Sequence, residues 1–316
     1  MTTEWHGAAL TPLTGGYSGE TFLVGEHPDE QVVLRIYRRD PDRALVDASL
    51  LRLVRGLLPV PDVLEERPAT DASPAMLVTR KLDGVTLESL LRANPPDLDW
   101  ETLGQHLGYL LARLSGIPFL RPGRFDGPDL TVESTSMPDD LREFTQVRRD
   151  TGRLAAWQER DYHALLDLVD HAEDVSAAAA IESEGRTVLV HSDFNPKNIL
   201  VDPEAAEVVG VVDWEFAYAG SPYADFGNLS RFEREDKLTG AVLEAFVDVG
   251  SGLRDVEERS RAADLWALVE LAGRVQTNPV TELATALLLA QASAADLHAW
   301  PWDTPRVDPK QAKRVL

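Results

Sequence analysis

His191-Ser192-Asp193-Phe194-Asn195-Pro196-Lys197-Asn198-Ile199-Leu200-Val201-Asp202 is the stretch on which the reading turns. The β-branched run Thr187-Val188-Leu189-Val190 leads into it, so one apolar strand delivers a polar loop and a second leaves it. An Asp on a rigid loop after a strand can take the proton of a hydroxyl as that hydroxyl attacks a phosphorus. An Asn five residues on can hand its carbonyl oxygen to Mg²⁺ without adding a full negative charge beside phosphates. Downstream, the strand Glu207 to Val212 ends in Asp213-Trp214-Glu215, and a carboxylate there suits a hard cation bridging phosphate oxygens. The two clusters each follow an apolar strand and lie within one short hairpin's reach. That coincidence outweighs the alternative that Asp193 and Asp213 only cap turns.

Working outward toward the N-terminus, residues 10–13, 21–24 and 31–37 read as strands. The first two are separated by Thr14-Gly15-Gly16-Tyr17-Ser18-Gly19, and the last two form a hairpin across a polar turn. Ala44 to Leu58 has helical spacing and ends at Pro59 and Pro61; Ala75 to Thr79 is a further strand that closes at Asp83-Gly84. Beyond Gly84 the pattern is mainly helical, with helices expected over 86–92, 100–116, 139–149, 155–180 and through most of 223–299. The expected architecture is α+β and bilobal, with residues 1–82 forming a small antiparallel-sheet lobe and 83–316 a larger helical one.

The chain has 316 residues, 44% of them hydrophobic, which is the composition of a folded protein with a sizeable core. No Cys is present, which excludes disulfides, thiolate nucleophiles and Cys-ligated zinc; the seven histidines lack metal-ligand spacing. The net charge of −22 argues against nucleic-acid partners and anionic membranes. The start has no basic region followed by an apolar one, and the apolar stretch 283–295 is too short to span a bilayer, so a cytoplasmic protein is expected. Nine basic and twelve acidic residues leave −3 in residues 1–82, so the other 234 residues carry −19.

The loop matches His-x-Asp-x-x-x-x-Asn, the spacing of the kinase catalytic loop, and Asp213 falls where that pattern places its second metal ligand. From about Leu10 to Leu297, and most densely over residues 187–229, the chain resembles the aminoglycoside phosphotransferase family, relatives of choline kinase with a protein-kinase-like fold. The resemblance implies Asp193 as catalytic base, Asn198 and Asp213 as Mg²⁺ ligands, and Asp225 as a brace for the loop. The loop's second position is usually Gly in the family and is Ser192 here. The resemblance also implies a nucleotide clamp in the first lobe. Gly16, Tyr17, Ser18 and Gly19 would cradle phosphates, and Arg35 would grip phosphate oxygens with Asp47 on the following helix as its partner. The backbone of Arg80 and Leu82 would meet the purine edge. ATP is the default nucleotide and GTP stays open.

The acidity of the second part suits a small cationic acceptor such as an aminoglycoside or related basic antibiotic, with Glu215, Glu233, Glu235, Asp236 and Glu270 as candidate gripping residues. For any single one of them, a solvated helix face is the stronger expectation. An antibiotic-resistance role follows from that reading. The alternatives are a metabolic kinase for choline, an amino acid or a sugar, and a catalytically silent binding module. A choline-type ammonium would need an aromatic cage, for which Trp214, Tyr218, Tyr223, Trp266, Trp300 and Trp302 are available. A monomer or homodimer is expected.

Overall fold

Strands early in the chain pair in sequence order, and a helix then covers them. The computed structural model describes residues 4–5, 8–13, 20–25, 27, 30–133, 140–249 and 252–309. β1 (Glu4–Trp5), β2 (Ala8–Pro12), β3 (Glu20–Val24), β4 (Val32–Tyr37), β5 (Val63–Arg67) and β6 (Ala75–Arg80) form one antiparallel sheet in the order β1-β2-β3-β4-β6-β5. Leu34 on β4 stands opposite Val78 on β6, and with Val24 they form a small core on the sheet. Helix α1 (Arg43–Val54) packs on β5 and β6 and buries Val46, Leu50 and Val54, one per turn. β5 is absent from the expected order. Its sequence, Val-Leu-Glu-Glu-Arg, lacks an apolar run because it is an edge strand, where charge discourages pairing with another chain.

After Arg80 the chain leaves this sheet, and β7 (Val85–Thr86) joins β12 (Ile199–Asp202) and β13 (Glu207–Val211) in a three-stranded sheet. The connecting segment is pressed onto that sheet. At Gly84, with φ +128°, a Cβ would meet the Val201 carbonyl at 3.0 Å and Val209 Cγ2 at 2.8 Å, so only glycine permits the approach. A second, five-stranded sheet runs β10-β9-β14-β11-β8, built from β8 (Pro118–Phe119), β9 (Gly123–Asp126), β10 (Thr131–Glu133), β11 (Thr187–Val190) and β14 (Tyr218–Gly220). Of these only β11 shows in the sequence; the rest are two to four residues long, too short to display a period.

The remaining elements are helices α2 (Leu87–Ala93), α3 (Trp100–Leu114), α4 (Leu141–Thr151), α5 (Glu159–Glu182), α6 (Ala224–Ser230), α7 (Asp236–Asp248), α8 (Val256–Gly273) and α9 (Pro279–Ala294). They fall where helical spacing places them, with ends displaced by a few residues. α3 and α7 touch backbone to backbone, since a Cβ on Gly108 would lie 2.5 Å from the Val242 carbonyl. One hydrophobic core joins α1, α3 and α7 to β11, β12 and β13; a second joins α4, α5, α8 and α9. The first core anchors the polar loops from behind, with Phe194 fully buried and Trp214 nearly so. Among the described residues no helix is long and apolar enough to cross a membrane. The result is α+β and bilobal, as expected.

Candidate active site

The loop from His191 to Asn198 passes from the five-stranded sheet to the three-stranded one, so its ends are held by two different sheets. Asp225, at the first turn of α6, clamps its start. Its carboxylate accepts the backbone N–H groups of His191 and Ser192, each at 2.8 Å. Burial pushes the Asp225 carboxyl up to about 7, against the pull of those two amides. His191 ties the loop to the end of β13. Its Nε2–H donates to the Val212 carbonyl at 3.1 Å, while Nδ1 accepts the Asp193 N–H at 3.2 Å. A carbonyl can only accept, so the ring is neutral with its proton on Nε2. Complete burial agrees, pushing its pKa down to about 4. Ser192 sits at φ +68°, in the left-handed region that favours Gly, the residue expected at this position of the loop.

Asp193 is held by three donors. Asn195 Nδ2 donates to Oδ1 at 2.5 Å, Asn198 Nδ2 to Oδ2 at 2.7 Å, and Lys197 Nζ lies 3.0 Å from Oδ2. With its amide nitrogen committed to Asp193, Asn198 has only its oxygen to offer a cation. Asp213, also left-handed at φ +66°, stands directly after β13, where the Val212 N–H binds the Asn198 carbonyl at 3.0 Å. The two oxygen donors therefore share one backbone junction. Carboxylate and amide oxygens are the hard donors that Mg²⁺ takes, with phosphate and water filling the rest of its shell. Among the described residues no cluster of three His, Cys, Asp or Glu side chains forms a metal site.

Arg35 reaches across from β4. Its Nη1 donates to Asp213 Oδ1 at 2.8 Å and its Nη2 to Glu215. Glu215 therefore supports this arginine and is not an open acceptor grip; burial, then Asp213, pushes its carboxyl up to about 7. Asp47 departs from expectation. Both oxygens of its carboxylate are taken, Oδ1 by Arg43 Nε and Oδ2 by the Tyr37 hydroxyl, each at 2.7 Å. Its shorter side chain closes a buried i,i+4 pair on its own helix, and Arg43 in turn donates to the Trp214 carbonyl at 2.7 Å. At the expected hinge, the Arg80 N–H is already bound to the Asp62 carbonyl at 2.9 Å, and Leu82 rests on Gly210 of β13. Gly16, Tyr17, Ser18 and Gly19 lie outside the described residues.

Asp193, Asp213 and Glu215 open onto a cavity of about 680 Å³ between the sheets and the helical part, within the size range of small-molecule sites. The other acidic candidates are engaged elsewhere. Glu233 is buried, lies 3.3 Å from Arg306 and accepts the Glu235 N–H; Glu235 itself sits 4.0 Å from Arg306. Asp236, exposed at the start of α7, and Glu270, held by Arg148 and Arg274, do not line the cavity. None of the tryptophans and tyrosines named for an aromatic cage lines the cavity: Trp214 packs against His191, Tyr218 lies beside Gly220, Tyr223 is in the first core, and the half-buried Trp266, Trp300 and Trp302 pack against the second. The aromatics that do line the cavity are Phe216 and Phe232. Arg39, Arg274 and residues 306–309 also line it, and no motif in the sequence marks them.

Residues 9–265 match the family model described as the phosphotransferase enzyme family. The chain belongs to that family. The chain shares its fold with a thermostable mutant of aminoglycoside phosphotransferase APH(4)-Ia, at 18% identity and a TM-score of 0.59 over 91% of this chain and 94% of that one. It is similar also to the GDP complex of aminoglycoside 2'-phosphotransferase-IIIa, at 16% identity and a TM-score of 0.65 over 91% and 93%. Among curated proteins, acyl-CoA dehydrogenase family member 10 of Mus musculus is 52% identical over 40 residues, which are 13% of this chain and 4% of that protein. Acyl-CoA dehydrogenase family member 11 of Homo sapiens is 27% identical over 77 residues, 24% and 10% respectively. The chain thus spans a tenth or less of the length of these curated relatives.

Proposed function

We propose that the chain is an ATP- and Mg²⁺-dependent O-phosphotransferase acting on a hydroxylated small molecule. The observation that carries this reading is the placement of Asp193 and Asp213 on one cavity, with Asn198 hydrogen-bonded to Asp193 just behind it and Arg35 arriving from the opposite sheet. Asp193 orients the acceptor hydroxyl and takes its proton as the acceptor oxygen bonds to the γ-phosphorus and the bond to ADP breaks. Asn195, Asn198 and Lys197 hold that carboxylate in one orientation. Asn198 and Asp213 would hold Mg²⁺, which neutralises phosphate charge when bound. Arg35 is positioned to pass from Asp213 and Glu215 to phosphate oxygens when nucleotide enters.

For the acceptor, the relatives of known structure are named for aminoglycosides, and an aminoglycoside acceptor with a resistance role is the reading that charge asymmetry suggests. The cavity favours the metabolic alternative, because four of the five carboxylates offered for grip are paired with arginines. Calorimetric titration with Mg-ATP, beside acceptor-dependent ADP release, tests the reaction class. Binding with acceptor-stimulated release is expected. Binding without release by any acceptor supports the silent module instead.

A further inference from the structure

The acceptor end of the cavity carries a charge pattern opposite to that of the helical part around it. Six basic and six acidic side chains line the cavity, so the −19 of residues 83–316 is not expressed there. Three of the acids, Asp193, Asp213 and Glu215, belong to the reaction centre. The other three are neutralised in place: Glu88 and Asp308 lie 3.4 and 3.1 Å from Arg92, and Glu233 lies 3.3 Å from Arg306. Among the basic residues, Arg231 is spent on a buried bidentate pair with Asp264, and Lys197 on Asp193.

Two cations remain. Arg39, exposed just after β4, takes part in none of the ion pairs of the described residues. Arg274, 43% exposed at the end of α8, reaches Glu270 only at 3.5 Å, and Glu270 is shared with Arg148. The first turn of α9 adjoins it: Asn278 and Val280 line the cavity, and the positive end of a 16-residue helix adds to the potential there. Behind the wall, Arg234 keeps Nε and Nη2 buried without an acceptor, and burial with Arg261 nearby pushes its pKa down to about 9. Apolar side chains line the same cavity, namely Phe216, Leu229, Phe232, Leu271, Val280 and Val307.

We infer that the acceptor is an amphiphilic hydroxylated anion, with its apolar body on this wall, its anionic group at Arg274 and Arg39, and its hydroxyl at Asp193. The inference rests on the phosphotransferase reading and names the substrate class of that same site. A polycation would meet here Arg39, which has no ion pair among the described residues, and Arg274, held only by a 3.5 Å contact to a Glu270 shared with Arg148, and no uncommitted carboxylate outside the reaction centre, which is a penalty against it.

The test compares ADP release by the full chain with Mg-ATP and three matched acceptor series: medium-chain hydroxy fatty acids, their methyl esters and the corresponding amino alcohols, with kanamycin beside them. The acids are expected to show the highest kcat/KM. Arg274→Ala and Arg39→Ala should each lower the acid-to-ester ratio of kcat/KM about tenfold, the scale of one charge-assisted contact, and Arg274→Lys should restore part of it. Preference for esters, amines or kanamycin overturns the inference. So does an unchanged ratio in both alanine variants, or Mg-ATP binding without turnover of any acid. Failure to bind Mg-ATP at all instead rejects the phosphotransferase reading on which the inference stands.

Discussion

The two ends of the cavity solve the same electrostatic problem in opposite ways. At the catalytic end the carboxylates of Asp193, Asp213 and Asp225 are held by amides, backbone N–H groups and one arginine that reaches over from the other lobe. At the acceptor end the acids are consumed by Arg92 and Arg306, Arg39 has no ion pair among the described residues, and Arg274 has only a 3.5 Å contact to a Glu270 it shares with Arg148. The difference teaches that a lobe's net charge sets its long-range field but not the field a bound molecule meets, because short-range pairing decides which charges stay available.

The largest expected effect breaks the catalytic end. Asp193→Asn should lower kcat by roughly 10²–10⁴, the range for loss of a positioned general base, with Mg-ATP affinity retained in calorimetry. An undiminished kcat would falsify the assignment of the base. At the acceptor end, Arg231→Ala leaves Asp264 as a buried, unpaired charge and should cost about 3–5 kcal/mol in urea denaturation. Arg274→Ala, at a side chain 43% exposed, should cost less than about 1 kcal/mol in the same assay. Equal losses would erase the division between scaffold and available arginines.

A third comparison uses pH. His191 is neutral in the folded chain, with its pKa pushed from 6.5 to about 4 by burial. An unfolded histidine takes up its proton as pH falls through 6.5 and the folded one does not until about 4, so this contribution to stability is present above 6.5 and lost across that window. His191→Gln should therefore lose less stability than the parent between pH 6.5 and 4 in denaturant titrations. Asp225, pushed up to about 7, acts with the opposite sign in both proteins, so their difference isolates the histidine. The smallest effect belongs to Ser192→Gly, which relieves a left-handed φ of +68° and should stabilise by up to about 1 kcal/mol, read as a rise in Tm.

The catalytic loop was legible in the sequence because its chemistry is local. His191, Asp193 and Asn198 lie within eight residues of chain between two apolar strands, so spacing alone places them together. The pairing of Arg35 was not legible. Asp47 and Asp213 are both plausible partners by type, and Arg43, four residues from Asp47 on the same helix, decides the matter. The edge strand β5 and the short strands β8, β9, β10 and β14 escaped for want of length, since their pairing comes from neighbours distant in sequence.

By itself the sequence determined the fold class, the catalytic loop and the absence of thiol chemistry, because strand alternation, helical spacing and motif spacing are written in consecutive residues. Only the tertiary structure decided the character of the acceptor site. Arg92 with Asp308 and Glu233 with Arg306 come from separate parts of the chain, and their mutual neutralisation depends on distances of a few ångströms that composition cannot encode.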